Sequence, residues 1–385
     1  MESIVRMPAA GRDRAEGTPD YARLIEDDRI HSSLYTSQAV FDDELHRIFY
    51  GGWVYVGHES EVPAAGDYVT RTIGLEPVVL IRNREGEIRV LSNRCSHRGN
   101  TVCRAEQGTT KVLTCDYHGW TFSLDGDLLG VPFPLGHCKP KAQLGLASPA
   151  RTQSYRGFVF ATFNPRSVSL EEHLGNGMAL IDQAVAMSPL GKIRLSAGWV
   201  KQHAVANWKM LPENATDGYH ATALHSSFFR VFSTQYDAAL ADEKKRVGEV
   251  KDWGGGHVGL NFAPRYTRPL EWMGISAARV PGYVQQMVEL HGEAKADELL
   301  TEGPPHATIF PNLFLGETNI VMFQPLSPHE CVQWHTPMLL EGVAQNGAPL
   351  LEMFEAAVQV LAQRGEPTDR AEAADEGADD GRVGA

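Results

Sequence analysis

Short apolar runs dominate the first half of the chain. Trp53-Val-Tyr-Val56, Tyr68-Val-Thr-Arg-Thr-Ile73, Pro77-Val-Val-Leu-Ile-Arg82 and Ile88-Arg-Val-Leu91 are rich in β-branched and aromatic residues. Gly, Asn and Pro punctuate them, which predicts a succession of strands, and Gly157–Phe163 predicts one more. Ahead of them, the apolar positions between Phe41 and Phe49 recur at helical spacing and predict a short helix. Further on the pattern changes. Ser169 followed by Glu171 and Glu172 is a helix start, with an N-cap hydroxyl and acids in the first turn. One long helix is expected from Met210 to about Leu224, and a last one over Gly347–Ala362. Strands are expected at Val258–Ala263, Ala307–Leu315, Ile320–Pro325 and Val332–Leu340.

Two segments between the early strands carry chemistry. Cys95-Ser-His97 and, after seventeen intervening residues, Cys115-Asp-Tyr-His118 each supply one thiolate and one imidazole. Two Cys with two His are the ligand set of a Rieske [2Fe–2S] centre, in which two histidines replace two cysteines on one iron. The same four residues could hold a tetrahedral zinc ion, although zinc modules favour paired Cys-x-x-Cys spacing. The stretches Asn93-Arg-Cys-Ser-His-Arg-Gly99 and Cys115-Asp-Tyr-His-Gly-Trp-Thr-Phe122 resemble the Rieske domain of bacterial ring-hydroxylating oxygenases. Neither loop carries the extra Cys of the high-potential respiratory Rieske proteins, so the resemblance is to the lower-potential type. Cys103, Cys138 and Cys331 are left over, and an odd, scattered remainder is no secreted disulfide framework.

A second constellation is Asn207-Trp-Lys-Met-Leu-Pro-Glu-Asn-Ala-Thr-Asp217-Gly-Tyr-His220-Ala-Thr-Ala-Leu-His225. On an ideal helix, five residues turn by roughly 140°, so His220 and His225 share a face only if the helix kinks between them. Asp217 and His220, three apart, do share one. As a bare pattern this is weak, but the run is similar to the mononuclear-iron signature of the same oxygenase family. That resemblance covers about residues 40–340. It implies that His220 and His225 ligate a non-haem Fe(II), within a set of two His and one carboxylate. Asp217 would not bind iron; it would accept a hydrogen bond from His220 and, across a subunit interface, from Rieske ligand His118.

The family places its ligand Asp downstream, after a Gly-Pro-x-Gly turn that this chain lacks. Asp369 is the assigned third ligand, with Asp375, Asp379 and Asp380 as alternatives, or an acidic tail holding none. Phe228, Phe229 and Phe262 are candidates for an apolar pocket, although ordinary core packing is the better reading of any one of them; the polar candidates His257 and Asn261 do not identify a substrate.

Length and charge set the frame. At 385 residues the chain is too long for a lone Rieske ferredoxin, and two domains are expected. The expected division is an arm over 1–40, a Rieske domain over 41–165 and a catalytic iron domain over 166–385. The fold implied is α+β, a small antiparallel β domain followed by an antiparallel sheet wrapped by helices. A net charge of −13 argues against nucleic-acid partners. No run of eighteen apolar residues and no signal-peptide core occur, so no membrane association and a cytoplasmic location are expected. No dinucleotide fingerprint is present, so electrons would come from a separate reductase or ferredoxin. The resemblance implies O2 and a small aromatic as substrates, cis-dihydroxylation as the reaction, with monooxygenation, demethylation or plain electron transfer as alternatives. The implied assembly is a homotrimer or an α3β3 complex with a small β subunit.

Overall fold

The computed structural model describes residues 19–133, 139–224, 249–261, 266–273, 276–317 and 319–343. The chain enters through helices α1 (Ser33–Thr36) and α2 (Gln38–Glu44), the latter running on in a wider π turn over Leu45–Phe49. Phe41, Leu45 and Phe49 are buried on one side of it, as their spacing predicts.

Ten strands follow: β1 (Val54–His58), β2 (Asp67–Ile73), β3 (Glu76–Arg82), β4 (Ile88–Ser92), β5 (Gln107–Thr109), β6 (Leu113–Thr114), β7 (Thr121–Phe122), β8 (Leu128–Gly130), β9 (Arg151–Tyr155) and β10 (Phe158–Thr162). They form three antiparallel sheets, ordered β4-β3-β2-β5, β8-β7-β6 and β9-β10-β1.

Helices α3 (Leu170–Leu174) and α4 (Gly177–Ala186) lead into the second half. Ser169 caps α3 as expected: its hydroxyl accepts the Glu172 amide at 3.1 Å while Glu172 accepts the Ser169 amide at 2.8 Å. A seven-stranded antiparallel sheet then assembles from β11 (Val200–Ala204), β12 (Glu249–Gly254), β13 (His257–Asn261), β14 (His306–Ile309), β15 (Leu313–Leu315), β16 (Asn319–Ser327) and β17 (Glu330–Pro337). Its order is β11-β17-β16-β15-β14-β13-β12. Helices α5 (Met210–Ala215), α6 (Ala221–Leu224), α7 (Pro281–His291) and α8 (Glu293–Glu302) accompany it. The architecture is α+β, with small antiparallel sheets first and a larger helix-flanked antiparallel sheet second.

Two expectations need correction. The run Ala307–Leu315 is not one strand, because Pro311 has no N–H for a ladder and Asn312 turns away to another element. The Asn312 side chain accepts the Tyr55 amide at 3.0 Å and donates to the Tyr55 carbonyl at 3.0 Å, extending the bonding of β1. The expected helix from Met210 to Leu224 breaks into α5 and α6. The Thr216 hydroxyl bonds back to the Pro212 carbonyl at 2.9 Å, and the Asp217 carboxylate accepts the Tyr219 amide at 2.7 Å. These local bonds compete with the helical ladder, and Gly218 adds flexibility between them. The helix expected over Gly347–Ala362 lies outside the described residues.

One core spans both halves. Trp53, Tyr55, Phe158 and Phe160 of the first pack with Leu170, Leu174, Ile181, Ile309, Leu313 and Trp334 of the second. A buried ion pair lies nearby. Arg71 of β2 bonds Glu61, and its guanidinium sits 5.2 Å from the ring centroids of both Trp199 and Trp334. The Trp199 indole also donates to Glu61 at 2.7 Å.

Candidate metal centres

The two Cys/His loops repeat one backbone design. In the first, the Gly99 amide donates to the Cys95 carbonyl at 2.8 Å, and the Cys95 amide donates to the Asn100 carbonyl at 2.8 Å. In the second, the Gly119 amide donates to the Cys115 carbonyl at 2.9 Å, and the Cys115 amide to the Trp120 carbonyl at 2.8 Å. Each turn closes through a glycine at positive φ, 77° for Gly99 and 68° for Gly119, a conformation that side chains disfavour. The first loop is also clasped from below: Asn93 accepts the Cys103 amide at 2.7 Å and donates to its carbonyl at 2.9 Å.

This design aims amides at sulfur. The backbone N–H groups of His97 and Arg98 point at the Cys95 thiol, and those of Tyr117 and His118 at the Cys115 thiol. Asn100 Nδ2 lies 3.7 Å from Cys115 Sγ. Both sulfurs are buried and lie within hydrogen-bonding reach of each other. Burial pushes the Cys95 thiol up to about 11, its neighbour Cys115 adding to the rise. For Cys115 burial also acts upward, but the surrounding donors outweigh it and the net direction is down.

The imidazoles sit on the outer side of the sulfurs, half-buried, with His97 and His118 rings 4.6 Å apart edge to face. Trp120 stacks on His97 at 4.7 Å and 5° and orients it. Two buried thiols and two adjacent, partly exposed imidazoles are a donor set for a binuclear cluster with one sulfur-ligated and one nitrogen-ligated iron. Among the described residues no three His, Cys, Asp or Glu converge on a single-ion site.

The second constellation begins with an anchor. Asn207 donates to the carbonyls of Tyr35 at 3.0 Å and Pro328 at 2.9 Å. Trp208 Nε1 donates to Glu44 at 3.0 Å and Lys209 Nζ to the other oxygen of Glu44 at 2.6 Å. Lys209 is the N-cap of α5, and Pro212 is tolerated in its first turn, where an amide would have no helical partner. Past the break, Asp217 Oδ2 lies 3.1 Å from His220 Nδ1. The two residues therefore meet across a turn rather than along a helix face. The His220 carbonyl accepts the Leu224 amide at 2.9 Å and starts α6. The Tyr219 amide, more than His220 itself, holds the Asp217 carboxyl below the usual range.

His225, Asp369, Asp375, Asp379 and Asp380 lie outside the described residues, as do Phe228, Phe229, Phe262 and Cys138. Of the polar pocket candidates, His257 is buried and occupied, its ring nitrogens bonded to the His173 carbonyl at 2.9 Å and the Phe310 amide at 3.0 Å. Asn261 lines a cavity of about 110 Å³ with Trp253, Tyr266, Trp272, His306 and Glu317. Sequence reasoning missed Glu44 and the His306–Glu317 pair. An acid at Glu44 among the apolar positions of Phe41–Phe49 was the available signal; the His306 pair offered none.

Residues 52–139 match the family described as Rieske [2Fe-2S] domain, and residues 195–372 match Ring hydroxylating alpha subunit (catalytic domain). The chain is 34% identical over 325 residues to toluate 1,2-dioxygenase subunit alpha of Pseudomonas putida, covering 79% of this chain and 70% of that one. The chain belongs to the ring-hydroxylating oxygenase alpha-subunit family. Within it, the 2-halobenzoate 1,2-dioxygenase large subunit of Burkholderia cepacia is 31% identical over 78% of this chain and 66% of its own length. The chain thus spans about two thirds of the length of these relatives. Naphthalene 1,2-dioxygenase from Rhodococcus sp. bound to indole superimposes with a TM-score of 0.71 at 27% identity, covering 87% of this chain and 79% of that chain.

The cofactors of this alpha-subunit family are a Rieske [2Fe–2S] cluster and a mononuclear iron. The donor set of the paired loops fits the first. Among the described residues no helix is long and apolar enough to cross a membrane.

Proposed function

We propose that the chain is the catalytic subunit of a terminal oxygenase that hydroxylates a small aromatic substrate, by cis-dihydroxylation. Cys95, His97, Cys115 and His118 are its cluster ligands, His220 and His225 two of its iron ligands, and Asp369 the third. The proposed division keeps the arm at 1–40, the Rieske domain at 41–165 and the catalytic domain at 166–385. The observation that carries the reading is the Asp217–His220 bond at 3.1 Å, at the end of a helix that Glu44 fastens to the Rieske half.

The bound metals supply one-electron transfer at the cluster and O2 activation at the iron. The polypeptide's part is positional. The amides around Cys95 and Cys115 stabilise negative charge on sulfur, which favours the reduced cluster. His97 and His118, both partly exposed, would be the groups nearest an electron donor. Asp217 holds the His220 ring through Nδ1, and Nε2 is the nitrogen that would ligate the iron. The Asp217 side chain is 47% exposed, which leaves it open to a second bond from His118 of the partner subunit. A homotrimer, or an α3β3 complex with a β subunit, brings those groups together, and a separate reductase or ferredoxin supplies the electrons.

The two relatives carry aromatic acids in their names, so benzoate-type acids are the first substrates to try, with aromatic hydrocarbons next. Product analysis under ¹⁸O2 with a surrogate reductase tests the reading. A cis-diol carrying two labelled oxygens supports it. One labelled oxygen, or loss of a methyl group, replaces it with a monooxygenase or demethylase. A chain that cycles its cluster, holds cluster iron alone and forms no product is an electron carrier.

A further inference from the structure

The ring of His306, at the start of β14, joins three elements. Its Nε2 lies 2.7 Å from the carbonyl oxygen of Ala215, the last residue of α5, and its Nδ1 lies 2.9 Å from Oε1 of Glu317, in the turn after β15. Neither a carbonyl nor a carboxylate has a proton to give. A neutral imidazole carries one N–H and satisfies one of them; an imidazolium satisfies both. The seat is built around this contact. Phe314 meets the His306 ring edge to face at 4.9 Å, and Leu211 and Ala215 of α5 pack on Phe314, Val321 and Phe323.

We propose that His306 is a positioning residue for the iron site: as an imidazolium it ties the C-terminal end of α5 to Glu317 and so holds the turn from which Asp217 and His220 project. The inference rests on the reading of His220 as an iron ligand. Asp217 comes two positions after Ala215, so the tied carbonyl and the working carboxylate belong to one turn. Loss of one ring proton breaks one of the two bonds, and the turn loosens as pH rises. The charge balance around the ring agrees. Burial acts to pull His306 down, but the carboxylate of Glu317 outweighs it and the net direction is up. Burial likewise acts to raise Glu317, and His306 outweighs it, so Glu317 is held down. Among the described residues, Lys251 of β12, Glu302 of α8 and Tyr266 line the same cavity, and Glu213 stands on α5, where the Tyr35 hydroxyl donates to it.

Amide hydrogen exchange on the full chain, corrected for intrinsic rates and followed from about pH 6 to 9, tests this in wild type, His306→Gln and Glu317→Gln. The Rieske electron paramagnetic resonance signal serves as the check that each variant folds. In wild type, protection at residues 216–220 should fall about tenfold as pH rises, the size of one charge-assisted hydrogen bond. In His306→Gln protection should be low and flat with pH, and in Glu317→Gln the fall should move to lower pH. Mononuclear iron per chain should drop in both variants while cluster iron stays. Protection at 216–220 in His306→Gln equal to wild type across the range overturns the proposal, and so does undiminished mononuclear iron in both variants. A wild-type chain with cluster iron alone removes the ligand role of His220 instead; the exchange comparison still decides whether His306 holds the turn.

Discussion

Lys209 Nζ lies 2.6 Å from Oε1 of Glu44, a contact that spans 165 positions of sequence and fastens the start of α5 to α2. The other oxygen of Glu44 takes the Trp208 indole at 3.0 Å, and Glu44 is only 8% exposed. Removing the carboxylate leaves a buried indole N–H and a mostly buried ammonium without an acceptor. Glu44→Ala should therefore cost about 3 kcal/mol, read as a lowered melting temperature, and should lower mononuclear iron more than cluster iron. Lys209→Met added to Glu44→Ala should recover part of the loss, because it removes the stranded charge. A melting temperature unchanged in Glu44→Ala would show that the contact holds nothing.

The Arg71–Glu61 pair is the stronger test of how the two halves adhere. Its side chains are 2% and 3% exposed, whereas those of the Arg89–Glu87 pair are 41% and 58% exposed. A buried charge without its partner costs about 3–5 kcal/mol, while an exposed pair contributes roughly 0–1 kcal/mol. Glu61→Gln should thus lower the midpoint of thermal or denaturant unfolding far more than Glu87→Gln. Arg71→Lys should fall between, since it keeps the charge but gives up the guanidinium that lies 5.2 Å from the ring centroids of Trp199 and Trp334. Equal effects from Glu61→Gln and Glu87→Gln would show that burial of the Arg71–Glu61 pair adds nothing to stability.

Much of the paired Cys/His loops was legible in the sequence, because the two cysteines and two histidines, the turn glycines and Trp120 sit within two short local segments. The early strands were legible too, since alternating β-branched residues between turn formers leave little choice of structure. What escaped depended on distant partners or on local competition. Glu44 reads as one more acid on a helix until Trp208 and Lys209 arrive 164 and 165 residues later. His306 meets Ala215 across 91 residues. The break between α5 and α6 comes from Thr216 and Asp217 bonding to nearby backbone, which the apolar periodicity of Met210–Leu224 conceals. Asp217 and His220 still meet, though for a different geometric reason than their spacing implied.

Gly119 should tolerate no side chain. Its φ is +68°, and a Cβ there would stand 2.9 Å from Cγ of Pro132. Strain and contact act together on the turn that closes the second Cys/His loop. Gly119→Ala should yield protein with cluster absorbance reduced several-fold. Gly86→Ala is the control, since its φ is also positive, +86°, but nothing lies within 4 Å of the new atom. That change should cost about 1 kcal/mol and leave the cluster intact. Equal cluster content in the two variants would mean that Pro132 yields without consequence.

His58 should make the fold acid-sensitive. Burial is the largest cause that brings it down from 6.5 to about 4, and its ring accepts the Ser60 amide at 3.2 Å as the cap of a short helical turn. The ring must stay neutral to accept. Because the folded value lies below the unfolded one, the native state is not penalised above pH 6.5; stability is lost as pH falls from there toward 4. Near pH 4 the loss should approach about 3 kcal/mol for this residue. His58→Gln keeps an acceptor that cannot protonate. Melting curves of the two proteins should therefore converge, or cross, across that window; a constant gap at every pH would assign the acid sensitivity elsewhere.

Asp217 uses one oxygen for the turn and the other for the ring: Oδ1 accepts the Tyr219 amide at 2.7 Å and Oδ2 meets His220 Nδ1 at 3.1 Å. The two functions separate by substitution. Asp217→Asn keeps an oxygen for the Tyr219 amide but turns an NH2 donor toward His220 Nδ1, so the turn should persist while the ring loses its acceptor and mononuclear iron falls. Asp217→Ala removes both bonds, so protection at 216–220 and mononuclear iron should fall together. If Asp217 also carries electrons between subunits, both variants should reduce their clusters normally with an external reductant yet reoxidise them slowly in the presence of substrate and O2. Stopped-flow absorbance of the cluster reads that step directly. Reoxidation of Asp217→Asn at the wild-type rate would confine Asp217 to holding the turn.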